Sequence, residues 1–318
     1  TLNFDFELDA ETSGFTKNKD GEWVNYPLGI FDEFRKKKIE LAGVDILYYG
    51  NIPNGAGLSS SASIELVTAI ALDNLYKAGL NRLEMVKMSQ SAENNFVGMN
   101  CGIMDQFAVG FGEIQKAIFL NCDTLEYSAV PVELGEYKLL IANTNKRRGL
   151  TDSKYNERRS ECDQAVNLIS GIRKIDHLSQ LSIEDLPLLE KTILDPVIFK
   201  RARHIINENN RVLEAVNVLH NGDLIKFGAL MNESHDSLKD DYDVTGIELD
   251  TLVYEARKID GVIGSRMTGA GFGGCTVSLV KNTEVDSFIE TLGLKYKEIT
   301  GLSADFYKPL IGDGARVL

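Results

Sequence analysis

Two glycine-rich loops and two carboxylates carry the chemistry that can be read from this chain. The first loop is Pro53-Asn-Gly-Ala-Gly-Leu-Ser-Ser-Ser-Ala-Ser63. Ile64, Val67, Ala71, Leu72 and Leu75 follow it at helical spacing, so the three serines Ser59, Ser60 and Ser61 fall at a helix start. Small residues there leave backbone N–H groups open to a ligand, and the positive end of the helix dipole favours an anion. Phosphate is the obvious anion. A glycine turn with a serine cap is the plainer alternative, although a cap uses one hydroxyl and three are present. A Walker A loop is excluded, because no lysine occurs between Asn51 and Tyr76.

The second loop is Thr268-Gly-Ala-Gly-Phe-Gly-Gly274, whose Gly269, Gly271 and Gly274 formally spell a dinucleotide fingerprint. That fingerprint requires a helix after it. Here Cys275-Thr-Val-Ser-Leu-Val280 follows, alternating and β-branched, which predicts a strand. The glycines, Gly273 included, instead suggest a loop whose backbone approaches another group closely. A bend between two strands is the alternative.

Asp105 follows a glycine turn and is expected in the first turn of a helix, off the apolar face formed by Ile103, Met104, Phe107 and Phe111. Glu93 ends the preceding helix, in Ser91-Ala-Glu-Asn-Asn-Phe-Val-Gly98. Each is equally readable as a solvated acid. His177, His204, His220 and His235 form no HExxH pair and no recognisable Ser–His arrangement, which removes two hydrolase classes. His204 and His235 read as structural, and Lys146, Arg147 and Arg148 as a solvated turn. The four cysteines are far apart with no CxxC pair, so neither a zinc site nor a disulfide framework is indicated, and a reducing cytoplasmic setting is expected.

The elements that must hold these groups in place are mixed. A strand is expected at 4–8, a polar turn at 12–22, a helix from Trp23 to Lys38, and a strand over Val44–Tyr49 leading into the first loop. Helices are expected near 61–78, 82–95 and 103–111, then a hairpin from Ala117–Asn121 and Glu126–Glu133. After the strand Leu139–Asn143 the chain is mainly helical to about 240, with a polar linker near Ser179–Asp185. Gly261–Leu310 mixes two or three strands with a helix near Glu284–Leu292. The 318 residues suit two domains, divided as 1–137 and 138–318, and the order of elements favours α+β. A net charge of −13 argues against a nucleic-acid partner, and no apolar run approaches the ~18 residues of a membrane span.

Taken in order, Pro53…Ser63, Cys101-Gly-Ile-Met-Asp-Gln-Phe107 and Thr268…Gly274 resemble the phosphate loop, catalytic segment and C-terminal glycine loop of the GHMP small-molecule kinases. Asn143-Thr-Asn-Lys-Arg147, Ser153-Lys-Tyr-Asn-Glu-Arg158, Arg201-Ala-Arg-His204 and Ser234…Val244 are similar to the galactokinases within that superfamily. The resemblance implies an N-terminal domain like ribosomal protein S5 and a ferredoxin-like C-terminal domain with added helices. It implies that Gly55, Ala56, Gly57, Leu58, Ser59, Ser60 and Ser61 wrap the phosphates of ATP. Ser61 and Glu93 would hold Mg²⁺, Asp105 would be the base at the sugar O1 hydroxyl, and Gly102, Asp105 and Tyr155 would contact the sugar. Gly269, Gly271, Gly273 and Gly274 would close near the transferring phosphate. The implied reaction is phosphorylation of galactose by a cytoplasmic monomer.

The family's N-terminal G-R-x-N-L-I-G-E-H-x-D-Y signature has no counterpart in residues 1–50, and the chain opens at Thr1. A truncated, weakly active form is therefore expected, with the leading strands of the N-terminal sheet missing. A kinase for another monosaccharide such as N-acetylgalactosamine, and a non-catalytic sensor of sugar and ATP, stand as the alternatives.

Overall fold

The structure is a computed structural model that describes residues 9–11, 14–19, 22–53, 57–146 and 151–318, with the backbone alone at 22 and 151–153. The strand expected at 4–8, the loop residues Gly55 and Ala56, and Arg147 and Arg148 lie outside the described residues. Contacts divide the chain into two compact units: residues 1–54, 58–130 and 311–318, and residues 55–57 and 131–310.

The first unit is built on four helices. A short 3₁₀ turn at Glu22–Val24 leads into α1 (Asn25–Lys36), followed by α2 (Ser60–Tyr76), α3 (Arg82–Ser91) and α4 (Met104–Phe111). The hairpin β1 (Lys116–Leu120) and β2 (Tyr127–Pro131) follows them, as the sequence indicates. Ile30, Phe34, Leu66, Leu72, Val86 and Phe107 are all essentially inaccessible and form one core. A capping box starts α3, with Asn81 Oδ1 accepting from the Glu84 N–H at 3.0 Å and Glu84 Oε2 accepting from the Asn81 N–H at 3.0 Å. Such a cap is worth about 1 kcal/mol. Gly110 brings α4 against α3, since a Cβ there would sit 2.6 Å from Val86 Cγ2. Residues 311–318 then brace the end of α4, where the Gly314 N–H donates to Gly112 O at 2.7 Å and the Ala315 N–H to Val109 O at 2.8 Å.

Val44–Tyr49 is not a strand: among the described residues it has no ladder partner. It keeps the two-residue alternation of one, with Val44, Ile46 and Tyr48 turned inward and Asp45, Leu47 and Tyr49 outward. Tyr48 Oη lies 2.8 Å from Thr68 Oγ1, which fastens the segment to α2 by a side chain. The predicted apolar face of α2 holds only in part. Leu72 is buried, but Val67 and Leu75 are exposed, and Ala62, Glu65, Leu66, Thr68, Ala69 and Ile70 are buried instead. A helix enclosed on most sides has no single apolar stripe for periodicity to detect.

The second unit holds a four-stranded antiparallel sheet in the order β4 (Val262–Thr268), β5 (Cys275–Lys281), β3 (Tyr137–Asn143), β6 (Asp305–Tyr307). The long helical stretch consists of α5 (Thr151–Ser170), α6 (Leu186–Thr192), α7 (Pro196–His220) and α8 (Leu224–Ser237). Pro196 is the first residue of α7, where its missing N–H costs nothing, and Asp195 caps the helix through Val197 N at 2.8 Å. α5, α6 and α7 share a core around Ile169, Leu189, Ala202 and Ile206. α9 (Ile247–Ala256) and α10 (Val285–Thr300) bury Leu252, Phe288, Leu292 and Tyr296 against Leu140, Ala142 and Val280 of the sheet. α10 runs eight residues beyond the helix end expected at Leu292, carried by the buried Tyr296 and stopped by Gly301 at φ 73°.

Candidate active site

The start of α2 is open. Gly57 has φ 74° and Ser59 has φ 55° and ψ 34°, a left-handed conformation that costs a non-glycine residue about 1–2 kcal/mol. No side chain caps the helix, so the serine-cap alternative is excluded. Helix geometry leaves the first-turn N–H groups without intrahelical partners.

Ser61, in that first turn, lies beside Glu93, and its hydroxyl opposes the upward push of burial on that carboxyl. Glu93 lies in the π-helical turn Ala92–Val97 that extends α3 and is 7% exposed, so it is not the solvated acid of the plainer reading. Its carbonyl accepts the N–H groups of Gly98 and Met99 at 2.9 and 3.0 Å, closing the turn. The chain then reaches α4 through a loop pinned by Asn94, whose Oδ1 accepts from the Cys101 N–H at 2.8 Å. Gln90 Nε2 donates to Cys101 O at 3.2 Å. These bonds aim the first turn of α4, where Asp105 sits half-buried as expected. Met104 is 60% exposed and does not belong to the apolar face assigned to it. It precedes the buried Gln106 by two residues, which places the two on opposite sides of the helix.

Sequence reasoning missed the two residues beneath this group. Gln106 and Glu65 are both fully buried. Gln106 Nε2 lies 2.7 Å from Glu93 Oε2, 3.2 Å from Glu65 Oε2 and 3.7 Å from Cys101 Sγ. Burial, reinforced by the charge of Glu93, pushes Glu65 up to about 9, so it is a neutral acid near pH 7. Burial also raises Glu93, opposed by the neighbouring Ser61 hydroxyl and assisted by the charge of Asp105. The Cys101 thiol is pushed up to about 12, by burial first and then by Glu93, and is a poor nucleophile. Ser61, Glu93 and Asp105 are thus brought together within one unit.

Within the second unit, the other glycine loop is left-handed at Gly269, Gly271, Phe272, Gly273 and Gly274. A Cβ on Gly271 would lie 2.2 Å from Val244 O, and the Phe272 N–H donates to that carbonyl at 2.7 Å. β5 begins directly afterwards, in keeping with the rejection of a dinucleotide fold. Tyr155 lies on α5, half-buried, and Gly102 in the first unit is exposed. Lys146 pairs with Glu248 at 2.7 Å. His204 is buried, with Nδ1 2.9 Å from Ser237 Oγ and its ring stacked on Tyr242 at 4.5 Å. His235 is buried with Nδ1 accepting from the Met267 N–H at 3.2 Å. Both histidines are therefore structural.

Residues 25–113 match the family described as GHMP kinases N terminal domain, and residues 213–298 match GHMP kinases C terminal. A galactokinase of Clostridium acetobutylicum is 54% identical over 99% of this chain and 82% of that protein. One from Fusobacterium nucleatum is 54% identical over 94% of this chain and 77% of that protein. The chain belongs to the galactokinase family. A crystal structure of Lactococcus lactis galactokinase complexed with galactose has a TM-score of 0.89 at 47% identity, covering 95% of this chain and 78% of that one. The α+β fold with GHMP N- and C-terminal domains is accordingly that of a galactokinase, and the chain is a kinase of that family.

Proposed function

We propose that this protein phosphorylates galactose at O1 with ATP, giving galactose 1-phosphate by in-line transfer. The observation that carries the reading is the grouping of Ser61, Glu93 and Asp105 in a chain 54% identical to a galactokinase. Asp105 is the base: it accepts the O1 proton as that oxygen attacks the terminal phosphorus, and ADP leaves from the opposite side. Gly55, Ala56, Gly57, Leu58, Ser59, Ser60 and Ser61 cradle the ATP phosphates, a role supported by the first-turn N–H groups of α2 that no side chain caps. Gly269, Gly271, Gly273 and Gly274 form the second phosphate-side loop.

Gly102 and Tyr155 contact the sugar. Gly102 has open space around its Cβ position and no left-handed φ, so neither packing nor backbone strain demands glycine there. A bound ligand supplies the missing reason.

Ser61 and Glu93 would hold Mg²⁺, and their hard oxygen donors suit that ion. Among the described residues no group of three or more His, Cys, Asp or Glu could hold a metal. A two-residue site fits an ion that keeps its waters and takes phosphate oxygens as further ligands. When bound, the ion neutralises phosphate charge.

ADP release measured across a panel of monosaccharides, with the product identified by phosphorus NMR, tests the reading. Galactose is expected to give the highest kcat/KM and a 1-phosphate product. Preference for N-acetylgalactosamine would move the substrate assignment. Sugar binding with no ADP release from any sugar would overturn the kinase reading in favour of a sensor.

A further inference from the structure

We propose that Gln106 is a positioning residue whose amide holds the Glu93 carboxylate in place for the cation shared with Ser61, and couples it to the helix that carries Asp105. The proposal rests on the metal reading of Ser61 and Glu93 given above. Asp105 and Gln106 are adjacent on α4, so their side chains point about 100° apart. Asp105 is half-buried, whereas Gln106 is fully buried and points inward. One turn of helix thus offers a carboxylate on one side and an amide on the other.

The orientation of that amide is dictated by its neighbours. Two carboxyl oxygens, Glu93 Oε2 at 2.7 Å and Glu65 Oε2 at 3.2 Å, face the same nitrogen. The NH₂ end must face Glu93, since a carboxamide oxygen that close to its carboxylate would set acceptor against acceptor. The opposite atom, Gln106 Oε1, is buried with no hydrogen-bond partner. An unpaired buried carbonyl is costly. The side chain is therefore held by what its nitrogen does. Its third neighbour, Cys101 Sγ at 3.7 Å, closes the pocket without competing for the strong donors.

Groups that hold a metal ligand from behind fix its direction, and losing them usually costs roughly 10–100-fold in metal affinity or activity. The spacing here suits that task. The shorter contact is to Glu93, which also lies beside Ser61. Glu65 Oε2, at 3.2 Å, is the second and longer contact of the same nitrogen.

The test is a Mn²⁺ titration by electron paramagnetic resonance on the whole chain, with a non-hydrolysable ATP analogue present. It compares the wild type, Gln106→Met, Glu93→Ala and the double variant. Gln106→Met preserves volume and removes the amide. It is expected to weaken Mn²⁺ binding roughly 10–100-fold while galactose binding, read by calorimetry, is retained. In the Glu93→Ala background the same change is expected to add less than about twofold, as for two changes acting on one group. Gln106→Asn, whose amide is one methylene too short to reach Glu93, serves if the Met variant does not fold. A folded Gln106 variant with wild-type Mn²⁺ affinity, beside a weakened Glu93→Ala, overturns the positioning role alone. Wild-type affinity in Glu93→Ala overturns the metal reading itself, and the positioning role with it.

Discussion

Ser61, in the first turn of α2, lies beside Glu93, in the π turn that ends α3, and its hydroxyl holds the Glu93 carboxyl lower than burial alone would. The two residues are 32 apart in sequence and supply the oxygen pair proposed for Mg²⁺. Glu93→Ala is predicted to raise the Mg²⁺ concentration for half-maximal activity at least tenfold, since even groups one shell farther out cost about that much. The check is a metal titration at saturating ATP and sugar. An unchanged curve returns Glu93 to a purely structural part.

Gly102 separates folding from sugar binding. A methyl group there meets nothing within 4 Å. Gly102→Ala is therefore predicted to leave the melting temperature unchanged and to raise KM for galactose, with KM for ATP unaltered. Steady-state kinetics with each substrate varied in turn reads this directly. Equal KM values for galactose would remove Gly102 from the sugar site.

α8 meets β4 at two glycines, where a Cβ on Gly264 would fall 2.5 Å from Gly228 Cα. Neither backbone can yield without moving a whole element. Gly264→Ala is predicted to destabilise the second unit by about 1–3 kcal/mol, the usual range for overpacking. Thermal denaturation followed by circular dichroism would register the loss as a lower melting temperature.

His204 predicts an acid-sensitive component of stability. Burial lowers it from 6.5 to about 4, in the presence of Glu208, Arg211, Asp241 and Arg266. Below about pH 6.5 the unfolded chain gains a proton that the folded chain refuses until about pH 4. Stability from this residue is thus complete above 6.5 and declines as pH falls towards 4, at most about 1.4 kcal/mol per pH unit. His204→Phe retains an aromatic ring against Tyr242 and removes the titration. Urea unfolding at pH 7, 6 and 5 is predicted to show a shallower loss in the variant than in the wild type. Identical slopes would contradict it.

The parts of this site legible in the sequence are those whose residue types are unusual for their setting. Two glycine runs, a serine triplet and an acid after a glycine turn each stand out without any partner being known. Glu65 and Gln106 do not. A polar residue inside an apolar helix is read as outward-facing by default, and only the packing of α2, α3 and α4 turns both inward. Val44–Tyr49 shows a related limit. Its alternation is real, yet alternation reports an extended backbone with two faces and says nothing about whether a neighbouring strand exists. α2 fails in the opposite direction, because burial on most sides erases the stripe that periodicity needs. Gly271 was legible as a point of close approach, but its partner, the Val244 carbonyl, became apparent only in the fold.

The central claim is that Asp105 takes the proton from the sugar hydroxyl. Single-turnover phosphorylation of galactose by Asp105→Asn tests it most directly, with ATP binding and melting temperature measured alongside. The predicted result is a rate lower by about 10²–10⁴, the usual contribution of a general base, with ATP affinity and fold retained. A folded Asp105→Asn protein that phosphorylates galactose at the wild-type rate would contradict it.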